Sequence, residues 1–136
     1  MAGSPEDDRS AVAAVATQYF ESWFEGDPDR MRAVLHPALA KRTALEPGAP
    51  GLSLDEDTAE GMVEIVGRGP GSTVEAGQDV TVLDVSRDIA TVKVVSAPFT
   101  EYLHLARFGD RWLIVNALYE PGRASDPTPV GGTLTR

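Results

Sequence analysis

Arg111-Trp112-Leu113-Ile114-Val115-Asn116-Ala117-Leu118-Tyr119 reads as a β-strand rich in apolar and aromatic residues. Its two alternating sets are Trp112, Ile114, Asn116, Leu118 and Leu113, Val115, Ala117, Tyr119. A strand with one wet face alternates apolar and polar residues. Here only Asn116 breaks the apolar register, so both faces are expected to be covered, one by helices and the other by a second subunit. Asn116 is then expected to face a buried space, where an amide needs a hydrogen-bond partner or a ligand. The strand therefore points to a pocket.

Working outward, Gly109-Asp110 makes a tight hairpin with the preceding strand, Phe99–Phe108. Before it come Ile89–Ala97 and Val80–Ser86, both rich in β-branched residues. The first half of the chain reads as helical. Ser4-Pro5-Glu6-Asp7 supplies a cap, a proline for the first turn and acids for the positive end of the dipole. Val12, Val15, Ala16, Tyr19 and Trp23 follow at helical spacing, widened by Phe20 and Phe24, and Gly26 ends the helix. Asp27-Pro28 opens a second, short helix with Met31, Val34 and Leu35 on its apolar side, and His36-Pro37 stops it. Ala38–Glu46 reads as extended and Pro47–Leu54 as a loop. Asp55–Gly67 reads as a third helix, with Asp55-Glu56-Asp57 at its start and Ala59, Met62, Val63 and Val66 on one face. Three helices followed by a meander predict an α+β domain over residues 1–120, with a curved antiparallel sheet wrapped around the first helix. Residues 121–136 are Pro-, Gly-, Ser- and Thr-rich and are expected to form a flexible tail.

The formal net charge of −9 argues against a nucleic-acid partner, which demands a basic surface, and against an anionic membrane. The absence of cysteine excludes disulfides, thiolate catalysis and cysteine–zinc sites. His36 and His104 are the only histidines and are too far apart in sequence for a His-x-x-x-His pair, so no metal and no cofactor is expected. Gly67-Arg68-Gly69-Pro70-Gly71 follows a helix and lacks the Lys-Ser/Thr of a phosphate loop. With no apolar run of membrane-spanning length and no signal-peptide core, a cytoplasmic protein is expected. High Ala, Gly, Val, Arg and Asp usage fits a GC-rich bacterial genome.

Three stretches together carry a family resemblance. They are Tyr19-Phe20-Glu21-Ser22-Trp23-Phe24-Glu25-Gly26-Asp27, then Leu35-His36-Pro37-Ala38-Leu39-Ala40-Lys41-Arg42, and finally Phe108-Gly109-Asp110-Arg111-Trp112-Leu113-Ile114-Val115-Asn116. Over roughly residues 8–120 the chain resembles the nuclear transport factor 2-like (NTF2-like) superfamily, which includes the SnoaL-like and ketosteroid-isomerase-like proteins. Within that superfamily it resembles the "putative lumazine-binding" family of small bacterial proteins. The resemblance implies a conical α+β barrel, a deep apolar cavity and a homodimer packed through the sheet. It also implies many chemistries on one scaffold, so function has to come from the site.

His36, at the end of the second helix, is a candidate general base near neutral pH, or else a helix cap. Glu46 precedes Pro47-Gly48, much as the catalytic aspartate of the resembled ketosteroid isomerases precedes proline, and a carboxylate in a dry pocket can shuttle a proton. Asn116 completes the catalytic candidates. Arg42 either pairs with an anionic group inside or is solvated outside, and Lys41 has the opposite parity. Tyr102 and His104 share one parity of their strand, while Glu101, Leu103, Leu105 and Arg107 share the other, and either parity can face the cavity. Tyr19, Trp23, Met62 and Trp112 are core residues or an aromatic wall for a flat ligand. Among them Tyr19 can stabilise an oxyanion, since a buried phenol needs a partner.

Three functions compete. The first is cofactor-free acid–base chemistry on an apolar, carbonyl-bearing small molecule: isomerisation, cyclisation, dehydration or epoxide opening. The second is small-molecule binding without turnover. The third is a structural dimer whose cavity is filled by Tyr19, Trp23 and Trp112. A titratable group beside the cavity would favour the first.

Overall fold

A computed structural model describes residues 5–45, 51–70 and 78–122. The element order is α1 (Pro5–Glu25), α2 (Pro28–Val34), β1 (Leu35–Ala44), β2 (Leu54–Thr58), α3 (Ala59–Gly67), β3 (Gln78–Val85), β4 (Ile89–Ser96), β5 (Phe99–Phe108) and β6 (Arg111–Pro121). The strands form one sheet in the order β2-β1-β6-β5-β4-β3. Its concave side holds the core, and α1 crosses β3, β4 and β6 on that side. The result is an α+β cone that does not close, with β2 and β3 at its free edges. No helix among the described residues is long and apolar enough to cross a membrane.

The sheet is mixed rather than wholly antiparallel, because β1 runs parallel to β6 while every other pair is antiparallel. The third helix is shorter than its sequence suggests. Asp55, Glu56 and Asp57 belong to β2 and pair with Thr43, Arg42 and Lys41 of β1. Three consecutive acids suit an exposed edge strand, which charge protects from further pairing. Helix α3 starts only at Ala59, where the Thr58 hydroxyl accepts from the Gly61 amide and caps the first turn. At the other end of the chain, Pro121 still belongs to β6 and the Gly122 amide donates to the Pro98 carbonyl at 2.7 Å. The rest of the expected tail, 123–136, lies outside the described residues.

The doubly apolar β6 has a geometric cause. The register against β5 shifts between Leu105↔Ile114 and His104↔Asn116, leaving Val115 as a bulge. One extra residue reverses the parity of everything beyond it. Trp112 and Ile114 therefore share the concave face with Ala117 and Tyr119, while Asn116 and Leu118 fall on the convex face. Two short half-apolar runs of opposite parity look like one strand apolar on both sides. On β5 the concave set is Phe99, Glu101, Leu103, Leu105 and Arg107, and Tyr102 and His104 face out.

The core contains Val12, Ala16, Tyr19 and Phe20 of α1, Met31 and Val34 of α2, and Met62, Val63 and Val66 of α3, packed on Val92, Val94, Leu103, Leu105 and Ile114 of the sheet. Between α1 and α2, Gly26 turns the chain at φ +71 while the Asp27 carboxylate accepts from the Arg30 amide and caps α2. A second polar fastening lies near the start of α1. Arg107 stacks on Trp112 with 5.2 Å to the ring centroid and pairs with Asp8 and Asp88, which ties α1 to the β3–β4 turn.

Candidate functional site

Three neighbouring strands and one helix bring a charged cluster into the concave side. Lys41 of β1 faces in between Leu39 and Thr43, which are also buried. Its register partner on β6 is Ala117, and the Ala117 partner on β5 is Leu103, next in the inward column to Glu101. The small Ala117 side chain leaves room for the lysine to reach across β6. Tyr19 meets the pair from α1. Its hydroxyl donates to Glu101 Oε2 at 2.7 Å and accepts from Lys41 Nζ at 2.8 Å. Lys41 Nζ itself lies 3.4 Å from Glu101 Oε2, and the two side chains are 8% and 1% exposed.

Aromatic rings surround the ammonium. Its nitrogen sits 4.7 Å from the Tyr119 centroid, 5.4 Å from Tyr19 and 5.9 Å from Phe99. Phe99 packs edge-on against both Tyr119 and Trp23, each at 5.3 Å. These three rings are only partly buried, so they form the outer wall of the cluster. The concave parity of β2 adds Asp55 and Asp57 near the same wall.

Burial, then the Glu101 carboxylate, push the Tyr19 phenol well above the ordinary tyrosine range. Burial, followed by Asp55, Asp57 and Glu101, moves Tyr119 in the same direction. Tyr19 therefore stays a neutral phenol, able to donate and accept at once. The sign of the linkage follows. An unfolded tyrosine ionises near pH ~10, whereas folded Tyr19 keeps its proton beyond that. Its contribution is complete below pH ~10 and is lost as pH rises towards the folded value, by about 1.4 kcal/mol per pH unit at most. Tyr19→Phe is expected to cost about 1–3 kcal/mol at neutral pH, because it leaves two buried charged groups short of a partner. It should also remove this residue's share of the alkaline decline. Urea denaturation between neutral pH and pH ~11 checks both, and an unchanged alkaline slope would contradict the burial of the phenol.

Of the residues singled out from sequence, Tyr19 is in the cluster, Trp23 is in its wall, and Met62 and Trp112 are buried core. The others lie elsewhere. His36 occupies the opposite end of β1 from Lys41; its Nδ1 accepts from the Ala38 amide and its ring packs on Phe108 at 4.9 Å. Hydrogen bonding within β1 itself holds His36 at the start of the strand, away from the cluster. Asn116 faces out rather than into a buried space, because the Val115 bulge has inverted its parity. Its Nδ2 lies 3.2 Å from Nδ1 of His104, an exposed contact on the convex face. Tyr102 shares that face beneath Lys93, and Arg42 pairs there with exposed Glu56 at 2.7 Å. Glu46 lies outside the described residues.

Lys41 and Glu101 are the residues that reading the sequence for motifs misses. A signal exists for both. Glu101 is the sole carboxylate in the alternating column Phe99, Leu103, Leu105, and Lys41 is flanked in its own column by Leu39 and Thr43. A charged residue in an apolar column is either a register error or a buried pair.

Comparison with known proteins agrees with this architecture. The family model described as "Putative lumazine-binding" matches residues 7–120, and the chain belongs to that family. Solved structures of NTF2-like proteins share its fold. An NTF2-like protein of unknown function from Silicibacter pomeroyi superposes with a TM-score of 0.74 at 15% identity, covering 88% of this chain and 99% of that one. An NTF2-like protein of unknown function from Shewanella baltica gives 0.72 at 14% identity, over 90% and 100% of the two chains. A ketosteroid isomerase-like protein from Erwinia carotovora gives 0.61 at 14% identity, over 82% and 94%. At such identities the likeness establishes the fold alone. No curated protein matches the chain.

Proposed function

We propose that the protein binds a small, largely apolar molecule at the aromatic-walled end of the cone, with an oxygen of that molecule received by Tyr19 and Lys41. The observation that carries this reading is the buried Tyr19–Lys41–Glu101 cluster. Two charges removed from water are a poor source of stability, since desolvation offsets their attraction, and such groups beside aromatic walls are characteristic of binding sites. Membership of a family described by lumazine binding, and a ketosteroid isomerase-like structural neighbour, support small-molecule binding.

The cluster also has the parts for cofactor-free acid–base chemistry on a carbonyl compound. The ammonium of Lys41, and the phenol of Tyr19 once its single hydrogen turns from Glu101 to the ligand, are donors that would stabilise an enolate oxygen as charge develops on it. Glu101 would remove the α-proton and return it at another position, giving an isomerisation with no net change in atoms or charge. Glu101 then takes the base role expected of His36, and Lys41 with Tyr19 takes the oxyanion-holding role expected of Asn116. One observation favours a purely structural role instead: among the described residues every buried side-chain nitrogen and oxygen already has a partner within the chain.

Titration with cyclic enones and planar phenols, followed by tyrosine and tryptophan absorbance, separates the readings. Saturable binding to the wild type, at least tenfold weaker in Tyr19→Phe, is expected. Equal binding in the two proteins, or none in either, would contradict the proposal.

The convex face supports a homodimer formed through the sheet. Tyr102 and Leu118 are 40% and 51% exposed on it, next to His104 and Asn116.

A further inference from the structure

We infer that a groove on the flank of the cone, separate from the Tyr19–Lys41–Glu101 cluster, binds an apolar monocarboxylate whose carboxylate is held by Arg111.

The groove arises where β1 leaves β6. Leu35 pairs with Ile114 and Ala40 with Asn116, so four residues of β1 stand against the single Val115 of β6. Pro37 lies within this excess and has no amide hydrogen to give to the ladder, so the strand bows outward there. The gap measures about 340 Å³, and its walls include Leu35 and Pro37 of β1, Ala59 and Val63 of α3, and Leu113 of β6. A volume in that range suits a small ligand, and five apolar side chains give it a hydrophobic floor.

The rim decides the chemical class. Arg32 and Glu60 stand on it, but they satisfy each other: Arg32 Nη1 donates to both Glu60 oxygens at 2.7 and 2.6 Å. Arg111 differs. Among the described residues its Nη2 reaches only the Ala33 carbonyl, at 3.3 Å, and it has no carboxylate partner there. A guanidinium with free donors beside an apolar floor fits a carboxylate attached to a hydrocarbon. Glu60 on the same rim, and the formal net charge of −9, select against ligands with more than one negative charge.

The test is isothermal titration of the full chain with hexanoate, octanoate and decanoate below their micelle concentrations. Affinity is expected to rise with length, by up to about fourfold per methylene, until the groove is filled. Arg111→Gln should weaken octanoate roughly tenfold, the loss of one charged hydrogen-bonding partner. Octan-1-ol should bind the wild type more weakly than octanoate. Arg87→Gln removes another exposed cation and should change nothing; Tyr19→Phe, in the cone, should also leave octanoate binding intact. NMR shifts in the wild type should centre on the methyls of Val63 and Leu113. Absence of saturable binding, equal affinity for octanol, or an unaffected Arg111→Gln variant would overturn the assignment. Loss of binding in Tyr19→Phe but not in Arg111→Gln would move the ligand into the cone, which overturns this inference while favouring the proposed function.

Discussion

Replacing Lys41 with methionine is expected to destabilise the protein by about 3–5 kcal/mol, the cost of leaving a buried charge without its partner. The carboxylate left behind is that of Glu101, 1% exposed and held only by the Tyr19 hydroxyl at 2.7 Å. Such a loss is a large share of the ~5–15 kcal/mol that stabilises a typical domain. The companion experiment separates the charge from the packing. Tyr19→Phe/Lys41→Met/Glu101→Leu removes all three polar groups at similar volume and leaves no orphan. That triple variant should recover most of the lost stability, because a buried ion pair is often no better for folding than hydrocarbon. Chemical denaturation of the wild type, single and triple variants gives the comparison. A single variant costing less than about 1 kcal/mol would mean that Glu101 is solvated, against its placement here.

Gly26→Ala is expected to cost about 2–5 kcal/mol, through two effects that add. The backbone at residue 26 lies at φ +71, a region where a β-carbon costs about 1–2 kcal/mol. The added carbon would also meet Gly69 C at 2.7 Å and Pro70 N at 2.8 Å. Both are backbone atoms, so the turn after α3 would have to shift away from the α1–α2 turn, a strain of about 1–3 kcal/mol. Gly26→Asn distinguishes the two effects. Asparagine tolerates positive φ, so a loss as large as that of alanine assigns the cost to the close approach of the two turns. A loss below about 1 kcal/mol in both variants would contradict that contact.

Much of the fold is written in local pattern. The apolar stripe of α1, the Asp27-Pro28 start of α2 and the Gly109-Asp110 hairpin are decided by spacing and turn chemistry within a few residues, and each stands where those signals put it. What local pattern does not hold is register. Asp55-Glu56-Asp57 has the look of a helix start, and only pairing with β1 makes it an edge strand. The Val115 bulge has no residue-type signature, yet it turns Asn116 away from the interior and makes β6 appear apolar on both sides. Tyr19 was visible because an aromatic in a helical stripe announces itself. Lys41 and Glu101 were not, because their meaning depends on three strands aligning over Ala117. Their polarity within apolar columns was the available clue, and it weighs more than the motif-like placement of His36.

The charged cluster is proposed to recognise a ligand rather than merely to fill the cone. Native mass spectrometry of freshly purified wild type beside the Tyr19→Phe/Lys41→Met/Glu101→Leu variant tests it most directly, since the variant is expected to stay folded. A co-purifying small molecule is expected on the wild type, released by mild activation, and none on the variant. The same molecule on both proteins, or an empty wild type whose folded variant is equally stable, would contradict it and leave the cluster a structural ion pair.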